Sequence, residues 1–467
     1  IKIMQDLIRM CLVPLHSCLP IIAEWLPPSV CPSLSPSARL SIPLSNAHHQ
    51  RRTYNCWRIL GSSGMRSRFA VLVFTLSVAC LIVFLFLDSI LYASYGTFGY
   101  SYPDGEDVFD SCLLSDNPTW NLQLQWMLSP DYDPLKDCNR SFVPWTRLED
   151  GFVRASTNLS GLECKARSLE FVTEGKYNAS VWYPLGFNHR FTKDVVEVTC
   201  SHSTEEVYNF LHTQIHRADT PAPNASPEAN RGLIDDRPSV FIFVIDSMGA
   251  SHGRRAFPRT LSHLHDAHEA IDMQHLNKVG LNSRPNAISF LMGRMITNRE
   301  RELFGEKSMA AEWDWDESCA THVDNTTFVL YNFSKGGYTT LMAEDWDSGV
   351  FKWPDCKGFK EQPATHYMHP FQLRYNREAP KVLRKLMGSQ NCYEPHMFLM
   401  DYADKFIQAY PDKPKFSLVW ASYLAHDNMN DPFHADSYYH QFFVKHEKEL
   451  NNSFVFFMGD HGIRWGD

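Results

Sequence analysis

The sequence has no Cys-x-x-Cys pair, no internal repeat and no surplus of basic residues. The first absence argues against a zinc site built from cysteines, and the second against a repeat architecture. With 44 Lys and Arg against 53 Asp and Glu, for a net charge of −9, the basic footprint of a nucleic-acid binder is missing. Nor is the chain poor in core-forming residues. It is 44% apolar, 21% charged and 13% aromatic, the composition of a globular protein able to bury a large core. Its 467 residues leave room for two to four domains.

One stretch lacks charge altogether. Residues 69–87, FAVLVFTLSVACLIVFLFL, run nineteen positions without a charged side chain. At ~1.5 Å per residue they cover roughly 28 Å, close to the thickness of a bilayer's hydrocarbon core. A helix buried in a globular protein normally keeps one polar stripe, and this one has none. The reading is a transmembrane helix over residues 69–91. A cleaved signal peptide is the alternative, but the apolar run is long and starts deep in the chain.

Charge divides at that span. Residues 1–68 hold eight Lys and Arg against two acidic residues, which leaves 36 against 51 in the remainder. Arg51, Arg52, Arg58, Arg66 and Arg68 precede the span, while Asp88 and Tyr92, Tyr95 and Tyr100 follow it. Basic flanks stay cytoplasmic and aromatic rings favour the interface, so the expectation is a single-pass type II protein. Its C-terminal bulk then faces the lumen or the cell exterior. Sequons agree: Asn139, Asn158, Asn178, Asn224, Asn325, Asn332 and Asn451 all lie after the span and none before it. Each alone is weak, and all seven on one side are harder to dismiss. Cys112, Cys138, Cys164, Cys200, Cys319, Cys356 and Cys392 share that side, where widely spaced cysteines favour disulfides. Seven is odd, so one is free or its partner is missing. The chain opens on Ile and stops at Asp467 just after a motif, which reads as a fragment or an imperfect gene model, with sheet strands and another ligand to be expected beyond it.

The expected organisation is a disordered cytoplasmic tail at 1–68, the helix at 69–91, and a small disulfide-linked, mainly β membrane-proximal region at 101–216. A Pro- and Ala-rich linker at 217–237 then leads to an α/β domain at 238–467. In that domain SVFIFVI (239–245), FSLVWASYL (416–424) and SFVFFM (453–458) read as strands buried on both faces. Helical stretches lie between, for example 379–387 and 434–450. Strands alternating with helices predict a parallel sheet.

Each of the three strands ends in residues suited to metal or phosphate chemistry. The first hands off to Asp246, the second to His426 and Asp427, and the third to Asp460 and His461. Ligands bind outside the carboxyl ends of strands in open α/β sheets, so the three endings are expected to converge. Taken singly, Asp246 is a helix N-cap, a lone His is a satisfied side chain, and Asp-His-Gly is a turn. The joint pattern favours a divalent ion, Zn²⁺ or Mn²⁺, held by two carboxylates and an imidazole. VGLNSRPNAISFLMG (279–293) adds Ser283 in a loop before an apolar helix, with Pro285 in the first turn. That helix N-terminus favours a phosphate, and a metal ion can activate the Ser283 hydroxyl as a nucleophile. The plainer local reading is that Asn282 or Ser283 only caps the helix. Arg464 can neutralise phosphoryl charge or sit in a surface salt bridge. Glu344 and Asp345, at the end of GYTTLMA, are candidates for supporting groups behind the site.

These motifs resemble the alkaline-phosphatase-like superfamily, which includes phosphodiesterases, sulfatases and lipoteichoic-acid synthases. More closely, roughly residues 105–467 are similar to a large animal family of uncharacterised membrane proteins, catalogued as domain of unknown function number 229. FVIDSMG with FPRTLSHL, the NSRPN loop, GYTTLMAEDW, YLAHD and MGDHGIRWG carry the likeness. The resemblance implies an alkaline-phosphatase-like, parallel-rich sheet flanked by helices. It implies Asp246, Asp460 and His461 as metal ligands, and Ser283 as the nucleophile that also bridges to metal. His426 would meet the substrate's phosphate or leaving group, with Asn286 and Arg464 as weaker substrate contacts.

Ser283-Arg284-Pro285-Asn286 resembles the Thr-Phe-Pro-Asn loop of nucleotide phosphodiesterases and partly the sulfatase Cys-x-Pro-Ser-Arg motif. Ser stands where sulfatases carry the Cys that becomes formylglycine, and Ala287 where they carry Arg, so an ordinary sulfatase is disfavoured. A second metal would need ligands such as Asp427, Asp431 or His434, whose spacing does not match cleanly. The implied activity is hydrolysis or transfer of a phosphorylated or sulfated small molecule, lipid or glycan. The competing readings are an inactive ectodomain that binds or adheres, and a sulfatase-like enzyme that works without formylglycine.

Overall fold

The computed structural model describes residues 119–120, 124–218, 236–273, 276–302 and 305–464. The tail at 1–68, the span at 69–91, Cys112, Asn224 and most of the linker at 217–237 lie outside the described residues. Among the described residues no helix is long and apolar enough to cross a membrane.

The first part of the described chain is antiparallel. Strands β1 (Thr146–Glu149) and β2 (Phe152–Ala155) form a hairpin through Asp150-Gly151, both at positive φ, the dipeptide that a tight primed turn demands. Strands β3 (Glu163–Thr173), β4 (Lys176–Ala179), β5 (Tyr183–Pro184), β6 (Val195–His202) and β7 (Glu205–Thr213) build a second sheet. Its order is β4-β3-β6-β7, with β5 paired to β3. Cys164 and Cys200 face each other across β3 and β6 and are bonded; Cys138–Cys392 and Cys319–Cys356 are the other two disulfides.

Five parallel strands follow: β8 (Ser239–Ile245), β9 (Thr339–Glu344), β10 (His366–Tyr367), β11 (Lys415–Ala421) and β12 (Ser453–Gly459), ordered β10-β9-β11-β8-β12. Helices cover both faces, which is why β8 is apolar at successive positions rather than at alternate ones. Phe241, Phe243 and Ile245 join a core with α2 (Pro258–His268) and with the long helices at Pro395–Ala409 and Pro432–Lys445; α1 (Ala250–Ala256) precedes α2. Ile242 and Val244 join the opposite core with α3 (Ser283–Met292). Val196, Val198 and Tyr208 of the antiparallel sheet belong to the first of these cores, so sheet and helices share one apolar interior.

Three expected elements shift. The run at 416–424 leaves the sheet at Ala421, because the Asp345 carboxylate accepts the Ser422 N–H at 2.7 Å and turns the chain into a short helix at Tyr423–His426. The helix expected at 434–450 begins earlier, at Pro432, and breaks at His446 into a second short helix at Glu447–Leu450. The one expected at 379–387 contracts to Lys381–Leu386 behind Pro380, whose ring suits a helix start.

Glu197 on β6 is wholly buried between two guanidinium groups. Arg167 meets it at 2.7 Å from β3, Arg374 at 2.6 Å, and Asn209 donates to it at 3.1 Å. Burial alone would raise its carboxyl, but the Arg374 hydrogen bond and both arginine charges outweigh burial and hold it below the ordinary value. A carboxyl depressed on folding stabilises above its unfolded pKa, and that contribution is lost as pH falls through the folded one. Glu197→Ala leaves two cations without their shared partner and is expected to cost roughly 3–5 kcal/mol in urea unfolding at neutral pH, with the deficit shrinking in acid. A deficit that does not change with pH would contradict this account.

Candidate active site

Strands β8 and β12 are neighbours in parallel register, Gly459 opposite Ile245, so the residues that follow them emerge side by side at the carboxyl edge of the sheet. Asp246, Asp460 and His461 are all buried there, and one ligand atom of each lies within 4.8 Å of the others. The approach depends on glycine, since a Cβ on Gly459 would stand 1.9 Å from the Met248 carbonyl oxygen. Ser247, between the Asp246 and Met248 backbones, takes φ of 62°, a strained conformation for serine of the kind that clusters at functional sites. Its N–H reaches Asp460 Oδ1 at 3.0 Å and its hydroxyl donates to Asp246 Oδ1 at 3.0 Å.

The proton positions follow from the partners. His461 Nδ1 lies 2.7 Å from the Gly462 carbonyl, which can only accept, so Nδ1 carries the proton. In the neutral ring Nε2 is then a bare lone pair, 3.5 Å from Asp246 Oδ1 and 3.6 Å from Asp460 Oδ2. Asp460 Oδ2 is buried with no hydrogen-bond partner. Burial first, and then the Asp246 charge, push the Asp460 carboxyl up from its ordinary value. Three electron-pair donors facing one another away from water form a set that a divalent cation satisfies, and carboxylate with imidazole suits Zn²⁺ or Mn²⁺. A backbone carbonyl fixing the far nitrogen of a ligating imidazole is the usual support for such a ligand.

Ser283 completes the cluster. It is the first residue of α3, and its hydroxyl donates to Asp246 Oδ2 at 3.0 Å and lies 3.3 Å from His461 Nε2. The plainer capping reading does not hold, because Asn282 is the N-cap and makes no side-chain cap hydrogen bond. The helix start therefore keeps N–H groups for an anion.

A cavity of about 260 Å³ opens over Ser283 and Asp246. Asn282, Trp346, Trp353, Tyr423, His426 and Arg464 are among its walls. Arg464 Nη2 lies 2.8 Å from His426 Nε2, and His426 Nδ1 lies 2.6 Å from Asp427 Oδ1. A guanidinium has no lone pair to offer, so Nε2 accepts from Arg464 and Nδ1–H donates to Asp427. His426 is thus a neutral imidazole with its lone pair toward the arginine. A larger cavity, about 340 Å³, sits by Thr339 and Lys413 at the opposite ends of the strands and contains none of the cluster.

Five expected residues thus come together around one cavity or directly beneath it: Asp246, Ser283, His426, Asp460 and His461, with Arg464 at the mouth. Asn286 does not join them. Its amide oxygen accepts from Val279 N and Gly280 N, and its amide nitrogen donates to the Gly280 and Asn282 carbonyls, so its capacity is spent on holding the serine loop. The second-metal candidates are also engaged elsewhere. Asp427 pairs with His426, Asp431 accepts from Asn428 at 2.7 Å, and His434 meets Glu394 at 2.6 Å. Glu344 and Asp345 are buried supports whose carboxylates accept the Val350 and Ser422 N–H groups. Burial pushes Glu344 up to about 8 and Asp345 to about 7.

Sequence reasoning passed over Ser247 and the aromatic walls, and took Asn282 only as a possible helix cap rather than as a cavity wall. Trp346 was visible inside GYTTLMAEDW, but nothing in the letters tells which side of the strand end it takes. Asn139, Asn158, Asn178, Asn325, Asn332 and Asn451 are all exposed.

Residues 132–467 match the family described as "Protein of unknown function (DUF229)". Among solved structures the chain is similar to a phosphonoacetate hydrolase from Sinorhizobium meliloti 1021 in complex with phosphonoformate, at 13% identity and a TM-score of 0.25. That likeness covers 49% of this chain and 57% of the other. No curated protein matches.

Proposed function

The chain belongs to the DUF229 family, and we propose that it is a metal-dependent phosphoester hydrolase or phosphotransferase with Ser283 as its nucleophile. The observation that carries this reading is the buried meeting of Asp246, Asp460 and His461 with the Ser283 hydroxyl, 3.0 Å from one carboxylate. Asp246, Asp460, His461 and Ser283 would hold the ion, Zn²⁺ or Mn²⁺ by donor type. When bound, it supplies charge neutralisation for phosphoryl oxygens and a lowered hydroxyl pKa.

The chain's own groups do the rest. Ser283 Oγ attacks phosphorus and passes its proton to Asp246 Oδ2 as the Oγ–P bond forms and the ester P–O bond breaks. Arg464 turns from His426 Nε2 to a phosphoryl oxygen, which its fork fits, and frees Nε2 to take up a proton from solvent. Protonated His426 gives that proton to the leaving alkoxide. Water, or an acceptor alcohol, then attacks phosphorus and returns a proton to His426. The P–Oγ bond breaks and Ser283 recovers its proton from Asp246. Asp427 holds the ring's Nδ1–H throughout. The start of α3 stabilises the phosphoryl anion.

The same reading makes the protein a type II membrane glycoprotein with this domain on the luminal or extracellular side. The charge-free run at 69–87, the sequons confined to its far side and the disulfides support it.

Purified chain is expected to contain a divalent metal by mass spectrometry and to hydrolyse an aryl phosphodiester in preference to an aryl sulfate. Chelation should remove both metal and turnover, Zn²⁺ or Mn²⁺ should restore them, and endoglycosidase should lower the apparent mass. Chelator-resistant turnover or faster sulfate cleavage would overturn the chemistry. Protein that is metal-free and inert as isolated, and stays inert with either ion, would favour the binding ectodomain. An unchanged mass would overturn the luminal placement.

A further inference from the structure

The cavity over Ser283 carries more recognition chemistry than a phosphoryl group needs. Trp346, Trp353 and Tyr423 line it together with Asp246 and Ser283, and Val350 is its one aliphatic wall among the described residues. Among the described residues none of these three rings is stacked on another aromatic ring. Among the described residues neither indole N–H nor the Tyr423 hydroxyl has a hydrogen-bond partner. Asn282 also lines the cavity, and its side-chain carbonyl oxygen is buried without a partner. Trp346 and Trp353 are half-buried and Tyr423 is exposed, so their ring faces and polar edges are open to a ligand in the cavity. Apolar faces and donors left together beside a nucleophile form a binding wall.

We propose that this wall receives a single sugar ring, so that the substrate is a phosphoester of a monosaccharide unit with its phosphoryl group at Ser283. The proposal rests on the phosphoester reading above and names the group that the ester carries. Size favours a small occupant: about 260 Å³ lies near the lower end of the ~300–1,000 Å³ range of ligand pockets, enough for one ring and its phosphoryl group. A nucleotide would have to seat a base and a ribose in series. A lipid chain would need an apolar channel, and Val350 alone does not make one. A pyranose has the two properties that the wall matches. Its C–H face packs on an indole, and its hydroxyls accept from the N–H and O–H groups and donate to Asn282 Oδ1 and to Asp427, whose carboxylate is exposed at the mouth.

The test measures binding apart from turnover. Full-length chain carrying Ser283→Ala, supplied with Mn²⁺, is titrated with glucose 1-phosphate, glycerol 3-phosphate and AMP by calorimetry, with saturation-transfer NMR on the same samples. Glucose 1-phosphate is expected to bind roughly tenfold more tightly than glycerol 3-phosphate, with saturation strongest at the ring C–H protons. Trp346→Ala with Trp353→Ala should erase that preference, and Trp353→Phe should retain most of it, with circular dichroism confirming that each variant is folded. Equal affinity for the two phosphates, or a preference that survives loss of both indoles, overturns the proposal. AMP binding more tightly than the sugar phosphate overturns it in favour of a nucleotide. The two readings fail separately. Chelator-sensitive hydrolysis without a ring preference removes only the sugar assignment, whereas a Trp-dependent ring preference without hydrolysis removes only the enzyme reading.

Discussion

Asp460→Asn is expected to abolish metal retention and turnover together, while making the metal-free protein more stable than the parent. Asp460 Oδ1 already accepts the Ser247 N–H at 3.0 Å and the His461 N–H at 2.8 Å, and an amide oxygen can keep both. The other oxygen has no partner in its buried position, and it faces the bare Nε2 of His461 at 3.6 Å. Turning that oxygen into an N–H₂ gives the histidine a donor and removes one of two adjacent buried negative charges. An unsatisfied buried polar group costs ~1–3 kcal/mol, which sets the scale of the gain without metal. What is lost is a charged ligand. Metal-ion stabilisation of a reacting phosphoryl group is worth several kcal/mol, so turnover should fall by on the order of 10³ or more. Thermal unfolding with and without chelator separates the effects. The parent should gain stability when Zn²⁺ or Mn²⁺ is added, by ~4 kcal/mol once the ion exceeds its dissociation constant a thousandfold. The variant should not respond. A variant that binds metal like the parent, or that is less stable than the parent in chelator, would show that these side chains are not gathered for an ion.

The parts of this site that could be read from the letters are those where burial leaves no choice. SVFIFVI is apolar at every position because helices cover both faces of β8, and an apolar run that stops at Asp can only stop at the end of the sheet. The same holds for β12 and the Asp-His pair. Where the determinant lies elsewhere in the chain, the letters mislead. FSLVWASYL looks like one strand, yet its exit after Ala421 is fixed by Asp345, 77 residues upstream. Asn286 looks like a substrate contact by its place in NSRPN, whereas four local hydrogen bonds exhaust it. Disulfide pairing was equally hidden. Cys138 joins Cys392 across 254 residues, and no spacing rule reaches that far. The aromatic wall has the same character, since Trp346 follows strand β9, Trp353 follows a short helix and Tyr423 opens another, and only the packed fold brings them to one cavity.

Ser283→Ala is expected to separate chemistry from construction at this site. The substitution places a strong helix former at the first position of α3, where no side-chain cap is lost because Asn282 and Ser283 make none. Asp246 Oδ2 loses one donor, but it gains room toward the ion, and Asp460 and His461 keep every other contact. With three of the four metal-holding side chains kept, the ion should still be bound, though less tightly, and the melting temperature of the metal-free protein should stay close to the parent's. Turnover should not. Removal of a nucleophilic serine leaves only positioning and charge stabilisation, and comparable deletions cost up to ~10⁶ in rate. An acid-quenched parent sample should show a mass increase of one phosphoryl group on the peptide containing Ser283, and the variant should show none. Complete loss of the ion together with a lowered melting temperature of the metal-free protein would assign Ser283 to the scaffold, and parental turnover in the variant would hand the attack to another oxygen, with Arg464 and His426 then serving a water molecule in place of the serine.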